Sequence, residues 1–191
     1  MAEFFLELFS EEIPTGLQKN LRDSLLEKFQ EYFSKKSINS KNSFSLSTPN
    51  RLIIVFEGLD KQIKTLTEEI KGPSINAPVQ ALDGFIRSNK IEKKDLSKKK
   101  TEKGEFYIYK TKSKILKTHD LLMDFVPKLL ESHQWKKSMK WGEFDLNWGR
   151  PLKSILSVFD KKVINFKFHH IYSSNFSYID KDFEEKKKIF T

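Results

Sequence analysis

Five consecutive residues, Leu52-Ile53-Ile54-Val55-Phe56, are apolar at every position. A strand sends alternate side chains to opposite faces, so this run has no solvent face to offer and belongs centrally in a sheet. Its surroundings repeat the demand for burial. Residues 3–9, Glu-Phe-Phe-Leu-Glu-Leu-Phe, read as a strand that stops at polar residues and Pro14. Leu17, Leu21, Leu25, Phe29 and Phe33 recur every four residues, with Leu26 and Tyr32 beside them, which predicts an amphipathic helix over 15–36 with a core-facing stripe. With 17 Phe in 191 residues the chain has the bulk for a core, and wholesale disorder is excluded.

The remaining pattern is regular enough to order. Residues 37–43 read as a loop, 44–47 and 51–58 as strands around a Thr48-Pro49 turn. A charged segment carrying Ile63, Leu66 and Ile70 ends at Lys71-Gly72-Pro73-Ser74, and a weaker helix covers 78–89. The Lys-rich residues 92–103 read as a helix–turn or a solvated loop, and 105–112 as a strand. Thr118 is the expected N-cap of a helix over 119–134, which Pro127 should kink or divide. Residues 154–159 and 163–168 read as a hairpin joined at Asp160-Lys161-Lys162. From Tyr178 onward the charged tail is expected to be a frayed helix or disordered. The order β-α-β-β-α-β-α-β-β predicts an α+β fold with a mainly antiparallel sheet and packed amphipathic helices. Residues 1–175 form the expected module, with 113–118 as the place where two subdomains would part.

Composition excludes several classes. The absence of Cys removes disulfide scaffolds, thiol nucleophiles and thiolate metal sites. No apolar run approaches the ~20 residues of a membrane helix. Glu3, Glu7, Glu11 and Glu12 stand where a signal peptide would be positive. The 7 Gly form neither a dinucleotide nor a P-loop fingerprint. A soluble, cytoplasmic protein with no membrane partner is the expectation.

The net charge is +9, and the stretch from Arg87 to Lys117 carries nearly all of it, with twelve basic residues against four acids. Lys98, Lys99 and Lys100 at its centre can neutralise nucleic-acid phosphates, and Tyr107 and Tyr109 can offer stacking faces. A Lys-rich genome composition would also produce a solvated Lys-rich loop. Other constellations carry less. His169 and His170 are adjacent and diverge on a strand. His119 and His133 lie at opposite ends of one helix, about 21 Å apart at ~1.5 Å rise per residue. Glu7, Glu11 and Glu12 read as surface carboxylates at a strand end. Lys136-Lys137-Ser138-Met139-Lys140 is similar to the lysine loop of class I aminoacyl-tRNA synthetases, but the glycines, the partner histidine motif and a nucleotide-binding βαβ unit are missing. No catalytic, cofactor or metal residue is assigned.

Seven short motifs, in order, resemble one family. Phe5-Leu6-Glu7-Leu8-Phe9-Ser10-Glu11-Glu12-Ile13-Pro14 resembles the opening of the beta subunit of bacterial heterotetrameric glycyl-tRNA synthetase. Thr48-Pro49-Asn50-Arg51-Leu52, Lys71-Gly72-Pro73-Ser74, Ala81-Leu82-Asp83-Gly84-Phe85, Lys103-Gly104-Glu105, Ser138-Met139-Lys140-Trp141-Gly142 and Trp148-Gly149-Arg150-Pro151 are similar to later elements of that subunit. Asn50 and Lys140 stand where the family has arginine. Residues 176–191 depart from the family pattern, and the family's HD-like and anticodon-binding domains have no counterpart. A truncated frame, a fragment and a split gene all remain open.

The resemblance implies a tRNA-binding and assembly part of an enzyme that joins glycine to its tRNA with ATP and Mg, through an adenylate formed in a separate alpha subunit. The implied partners are that alpha subunit and glycine tRNA. Arg51, Lys71, Lys98, Lys99, Lys100, Lys140, Trp141 and Arg150 are the candidate RNA-binding or interface residues, with Arg51, Lys140 and Arg150 equally readable as organisers of polar turns. Gly72-Pro73 and Gly142 are expected to meet backbone requirements. Two further readings stay open: a scaffold that docks the alpha subunit without specific RNA recognition, and an inert truncated chain.

Overall fold

The computed structural model describes every residue except 66, 68, 102, 103, 134, 136, 137, 142, 144, 180–185 and 189–191, and describes 101 and 186–188 by backbone alone. The chain forms two compact units, residues 1–63 with 116–191, and residues 64–115. In the first unit β1 (Ala2–Ser10) leads into α1 (Thr15–Lys36), followed by β2 (Asn42–Thr48) and β3 (Arg51–Leu59). The chain crosses the boundary within β4 (Gln62–Lys64). The second unit holds β5 (Glu69–Ser74), α2 (Val79–Asn89), β6 (Leu96–Thr101) and β7 (Gly104–Lys110). The return falls within β8 (Ile115–Lys117), before α3 (Thr118–Ser132) and β9 (Leu152–Phe159). Short strands complete the first unit: β10 (Lys162–Val163), β11 (Lys167–Phe168), β12 (Ile171–Ser174), β13 (Phe176–Tyr178) and β14 (Lys186–Lys188).

Among the described residues the main sheet has the order β11-β12-β9-β1-β3-β2, with β10 paired to β9. The fold is α+β, and among the described residues the pairings of the main sheet are antiparallel apart from β12 with β9. β1 lies between β3 and β9. The apolar run 52–56 accordingly sits inside the sheet, between β1 and β2. Register aligns Phe4 with Phe56, Leu6 with Ile54 and Leu8 with Leu52 on one face. That face joins the α1 stripe of Leu21, Leu25, Phe29 and Phe33 and the α3 residues Leu122, Val126, Leu129 and Leu130 in one buried cluster. Phe29 is the hub, its ring centroid 5.4 Å from Phe4, 5.9 Å from Phe56 and 5.3 Å from Phe125. The opposite face carries Phe5, Glu7 and Phe9 of β1 beside Val55, Ile53 and Arg51 of β3.

Local signals set the helix and hairpin ends. α1 stops at Ser37, which turns left-handed at φ 57° while Lys35 and Lys36 complement the dipole in the last turn. The β9–β10 turn takes Asp160 and Lys161 through φ 49° and 65°, the two positive values of a hairpin turn twisted to match its strands. The second arm is shorter than its sequence: 163–168 divides between β10 and β11.

Other expectations are corrected. Residues 96–101 form a strand, β6, and only 93–95 make a turn of 3-10 helix. β6 is the edge of the β5-β7-β6 sheet, a position that tolerates consecutive lysines because both faces reach water and the charge discourages further pairing. Thr118 is not an N-cap. It is buried inside the first turn, and its hydroxyl donates to the Asp60 carbonyl at 2.5 Å. Pro127 does not divide α3, which runs from Thr118 to Ser132 with the proline inside it. The tail holds strand at Tyr178 and at 186–188, where β13 pairs antiparallel with β14, while 180–185 and 189–191 lie outside the described residues. His169 and His170 occupy the β11–β12 turn, with His169 at φ 52°.

Phe29→Ala removes the hub ring, and the surrounding helices and sheet can close the gap only partly. The variant should lose ~3–5 kcal/mol of stability in urea unfolding, read as a lower midpoint at an unchanged slope.

Candidate functional site

Two groups of polar residues stand out, one in each unit, and each is built by strand register.

In the second unit antiparallel register puts directly paired residues on the same face. Lys98 faces Tyr107, Lys100 faces Glu105, and Leu96 and Ile70 flank Tyr109. Lys98, Lys100, Tyr107 and Tyr109 therefore share one face. Lys99 falls on the other, where it meets Glu69 at 2.6 Å, and Lys110 approaches the same carboxylate at 3.3 Å. Hydrogen bonds from these two ammonium groups hold the Glu69 carboxyl below the usual carboxylate range. Lys71 lies on this second face with its Nζ 3.6 Å from the Phe106 ring centroid, a cation–π contact. The run 98–100 thus divides between two faces of different chemistry. Gly72 serves packing: a Cβ there would lie 3.0 Å from the Phe85 ring and 3.0 Å from the Tyr107 carbonyl.

In the first unit motifs far apart in sequence meet at the end of β1. Ser10 N donates to the Asn50 carbonyl (2.9 Å), Glu11 N to that of Pro151 (2.9 Å) and Ile13 N to that of Pro49 (2.7 Å). Asn50 Nδ2 donates back to the Ser10 carbonyl at 3.2 Å. Arg150 Nε donates to the Glu12 carbonyl at 3.1 Å, and Lys153 pairs with Glu11 at 2.7 Å. Reciprocal bonds between Met139 and Trp148, at 2.8 and 3.1 Å, bring in the segment 138–141. Lys140 is exposed, 3.7 Å from Asp145, and Trp141 packs half-buried against the core. Gly149 is required by space: a Cβ there would fall 2.0 Å from the Trp135 ring. Gly142, Lys103, Lys136 and Lys137 lie outside the described residues.

Arg51 sits beside this junction and is almost wholly engaged. Its Nη1 donates to Glu7 Oε1 at 3.0 Å and to Ser177 Oγ at 2.7 Å. Its Nη2 donates to the Tyr178 carbonyl, and the guanidinium lies 4.5 Å from the Phe9 centroid. The Ser177 hydroxyl donates in turn to Glu7. Glu7 is therefore buried, contrary to the reading of it as a surface carboxylate. The overlooked signal is its position: an acid between Phe5 and Phe9 on one face of an otherwise apolar strand needs a partner.

Beneath the junction, Trp135 packs edge-on between His133 and Trp148, with centroids 5.2 and 4.9 Å away. Burial, helped by the charge of Lys28, lowers the His133 imidazole to about 4.

Comparison with known proteins agrees with this arrangement of motifs. The sequence profile of the glycyl-tRNA synthetase beta subunit family matches residues 4–190. The chain belongs to that family. It is 34% identical to the glycine–tRNA ligase beta subunit of Rickettsia akari (strain Hartford) over 187 residues, 98% of this chain and 28% of the relative. It is 35% identical to that of Rickettsia prowazekii (strain Madrid E) over 178 residues, 93% of this chain and 27% of the relative. The chain therefore spans little more than a quarter of the curated relatives it matches. Among the described residues no three His, Asp or Glu side chains are grouped to hold a metal ion, and no helix is long and apolar enough to cross a membrane.

Removing Arg51 strands a buried carboxylate. Arg51→Ala should cost ~3–5 kcal/mol in urea unfolding, and the double variant with Glu7→Leu should recover part of that loss. The His133 effect has the opposite dependence on acid from a salt-bridged histidine. Its folded value lies below the unfolded ~6.5, so the unfolded chain takes up the proton first and stability falls as pH drops from about 6.5 towards about 4. A pH series of thermal melts should show that fall, flattened in His133→Phe.

Proposed function

We propose that this chain acts in glycine–tRNA ligation as a tRNA-binding and assembly part of the ligase, in the cytoplasm, beside an alpha subunit that holds the ATP- and Mg-dependent chemistry. Family membership supports the ligase setting. The observation that carries the tRNA contact is the second-unit face on which Lys98 lies directly across from Tyr107, with Lys100 and Tyr109 alongside. Ammonium groups there would neutralise backbone phosphates, and the phenol rings would stack on unpaired bases. Among the described residues neither Lys98 nor Lys100 takes part in an ion pair, in contrast to Lys99. Lys71, Lys140 and Trp141 are secondary contacts in this reading, and Arg51 and Arg150 act by positioning.

A second reading has its own support. The motifs that carry the family likeness spend their polar groups on one another at the end of β1. That favours a scaffold that docks the alpha subunit through a shape it holds rigidly.

Binding of the purified chain to glycine tRNA and to an unrelated tRNA across a salt series separates the two. Selective binding near physiological salt supports tRNA recognition. Equal binding that collapses with salt, together with co-purification of the alpha subunit, supports the scaffold. Under the first reading the Lys98→Ala/Lys100→Ala double variant should reduce the slope of log affinity against log salt by roughly 1.5. An unchanged slope would move the contact away from this face.

A further inference from the structure

A cleft of about 300 Å³ opens in the first unit where β12 and β13 run beside β9. Its walls include Lys153, Ser154, His170, Tyr172, Ser174 and Phe176, and among the described residues no carboxylate lines it. That volume is at the lower end of small-ligand sites and suits a single compact polar aromatic group.

Three features of the lining belong together. Two aromatic rings stand open at the surface, Tyr172 at 68% exposure and Phe176 at 43%. Isolated exposed rings of this size are costly to hydrate and useful as stacking platforms. Cations flank them. Lys167 reaches one face of the Tyr172 ring, with its Nζ 5.4 Å from the centroid, and Lys153, which pairs with Glu11, lines the cleft. At the wall of the cleft, Ser154 Oγ is buried with no hydrogen-bond partner among the described residues. A buried hydroxyl left unpaired costs ~1–3 kcal/mol, and a ligand that supplies the missing partner recovers it. A peptide side chain could fill the volume, but the cations call for an anion beside the aromatic group.

We propose that this cleft takes one unpaired nucleotide of RNA. Its base stacks on Tyr172 opposite Lys167 and reaches the Ser154 hydroxyl, and its phosphates lie against Lys167 and Lys153. The proposal rests on the tRNA-binding reading and adds a second, sequence-tolerant contact for single-stranded RNA.

Fluorescently labelled hexauridylate is the probe, titrated into the chain beside glycine tRNA. Tyr172→Ala should weaken hexauridylate binding about tenfold, and Tyr172→Phe, which keeps the stacking ring, should bind as the parent does. Ser154→Ala should weaken it severalfold. Equal hexauridylate affinity in the parent and Tyr172→Ala would overturn the proposal, as would a Tyr172→Phe variant as weak as Tyr172→Ala. Hexauridylate that fails to bind the parent at all would also overturn it. The two readings fail separately. Glycine tRNA binding that depends on Lys98 and Lys100 but not on Tyr172 removes the cleft and leaves the tRNA reading standing. Hexauridylate binding that depends on Tyr172, with no affinity for glycine tRNA, removes the tRNA reading and leaves the cleft.

Discussion

A carboxylate buried in the middle of a sheet dictates much of the first unit. Glu7 lies on β1, the strand with partners on both sides, and its side chain is only 7% exposed. An unpaired charge there would cost several kcal/mol. Arg51 answers it from the same face of the neighbouring strand, two positions along from the residue in direct register, Ile53. Ser177 and the Tyr178 carbonyl complete the set from β13. A one-residue slip of β1 would turn Glu7 into the helix-covered core and bring Phe4, Leu6 and Leu8 out. Charge pairing and hydrophobic burial therefore select one register. That register sets the ends of β1, β3 and β9 side by side, where the Ser10–Ile13, Pro49–Arg51 and Arg150–Pro151 segments exchange their hydrogen bonds.

The cations divide according to what they already hold. Arg51 and Arg150 are planar, multiply donating groups, suited to collecting several carbonyl and carboxylate acceptors at once, and both do so. Lys98, Lys100 and Lys167 are point charges on flexible stems, and they stand beside tyrosines at strand edges. The motif arginines, conspicuous in the sequence, thus spend their donors inside the fold, whereas Lys98, Lys100 and Lys167 lie beside tyrosines.

The elements governed by local spacing were legible. The four-residue stripe places α1 at Thr15–Lys36, and the apolar run places β3. Misreadings arose where a partner decides the conformation. Residues 96–101 carry too few apolar side chains to announce a strand, yet β7 offers them a full ladder of hydrogen bonds. Thr118 has the identity of a helix cap but bonds a carbonyl from 58 positions earlier. The tail looks like solvated charge until Arg51 and β14 take hold of β13.

What the chain determines by itself is its helices, its longer strands, its α+β class and, through ordered short motifs, its family. These follow from periods of two and about four residues, interactions that a segment makes with its own neighbours. The burial of Glu7, the division of Lys98–Lys100 between two faces, the need for Gly149 against Trp135 and the aromatic cleft were decided only by tertiary structure. Each depends on contacts between segments, from the neighbouring strands β6 and β7 to the 170 residues that separate Ser177 from Glu7. Pairing at such separations is set by which register buries the most apolar surface while leaving no charge unmatched, and no local pattern encodes that balance.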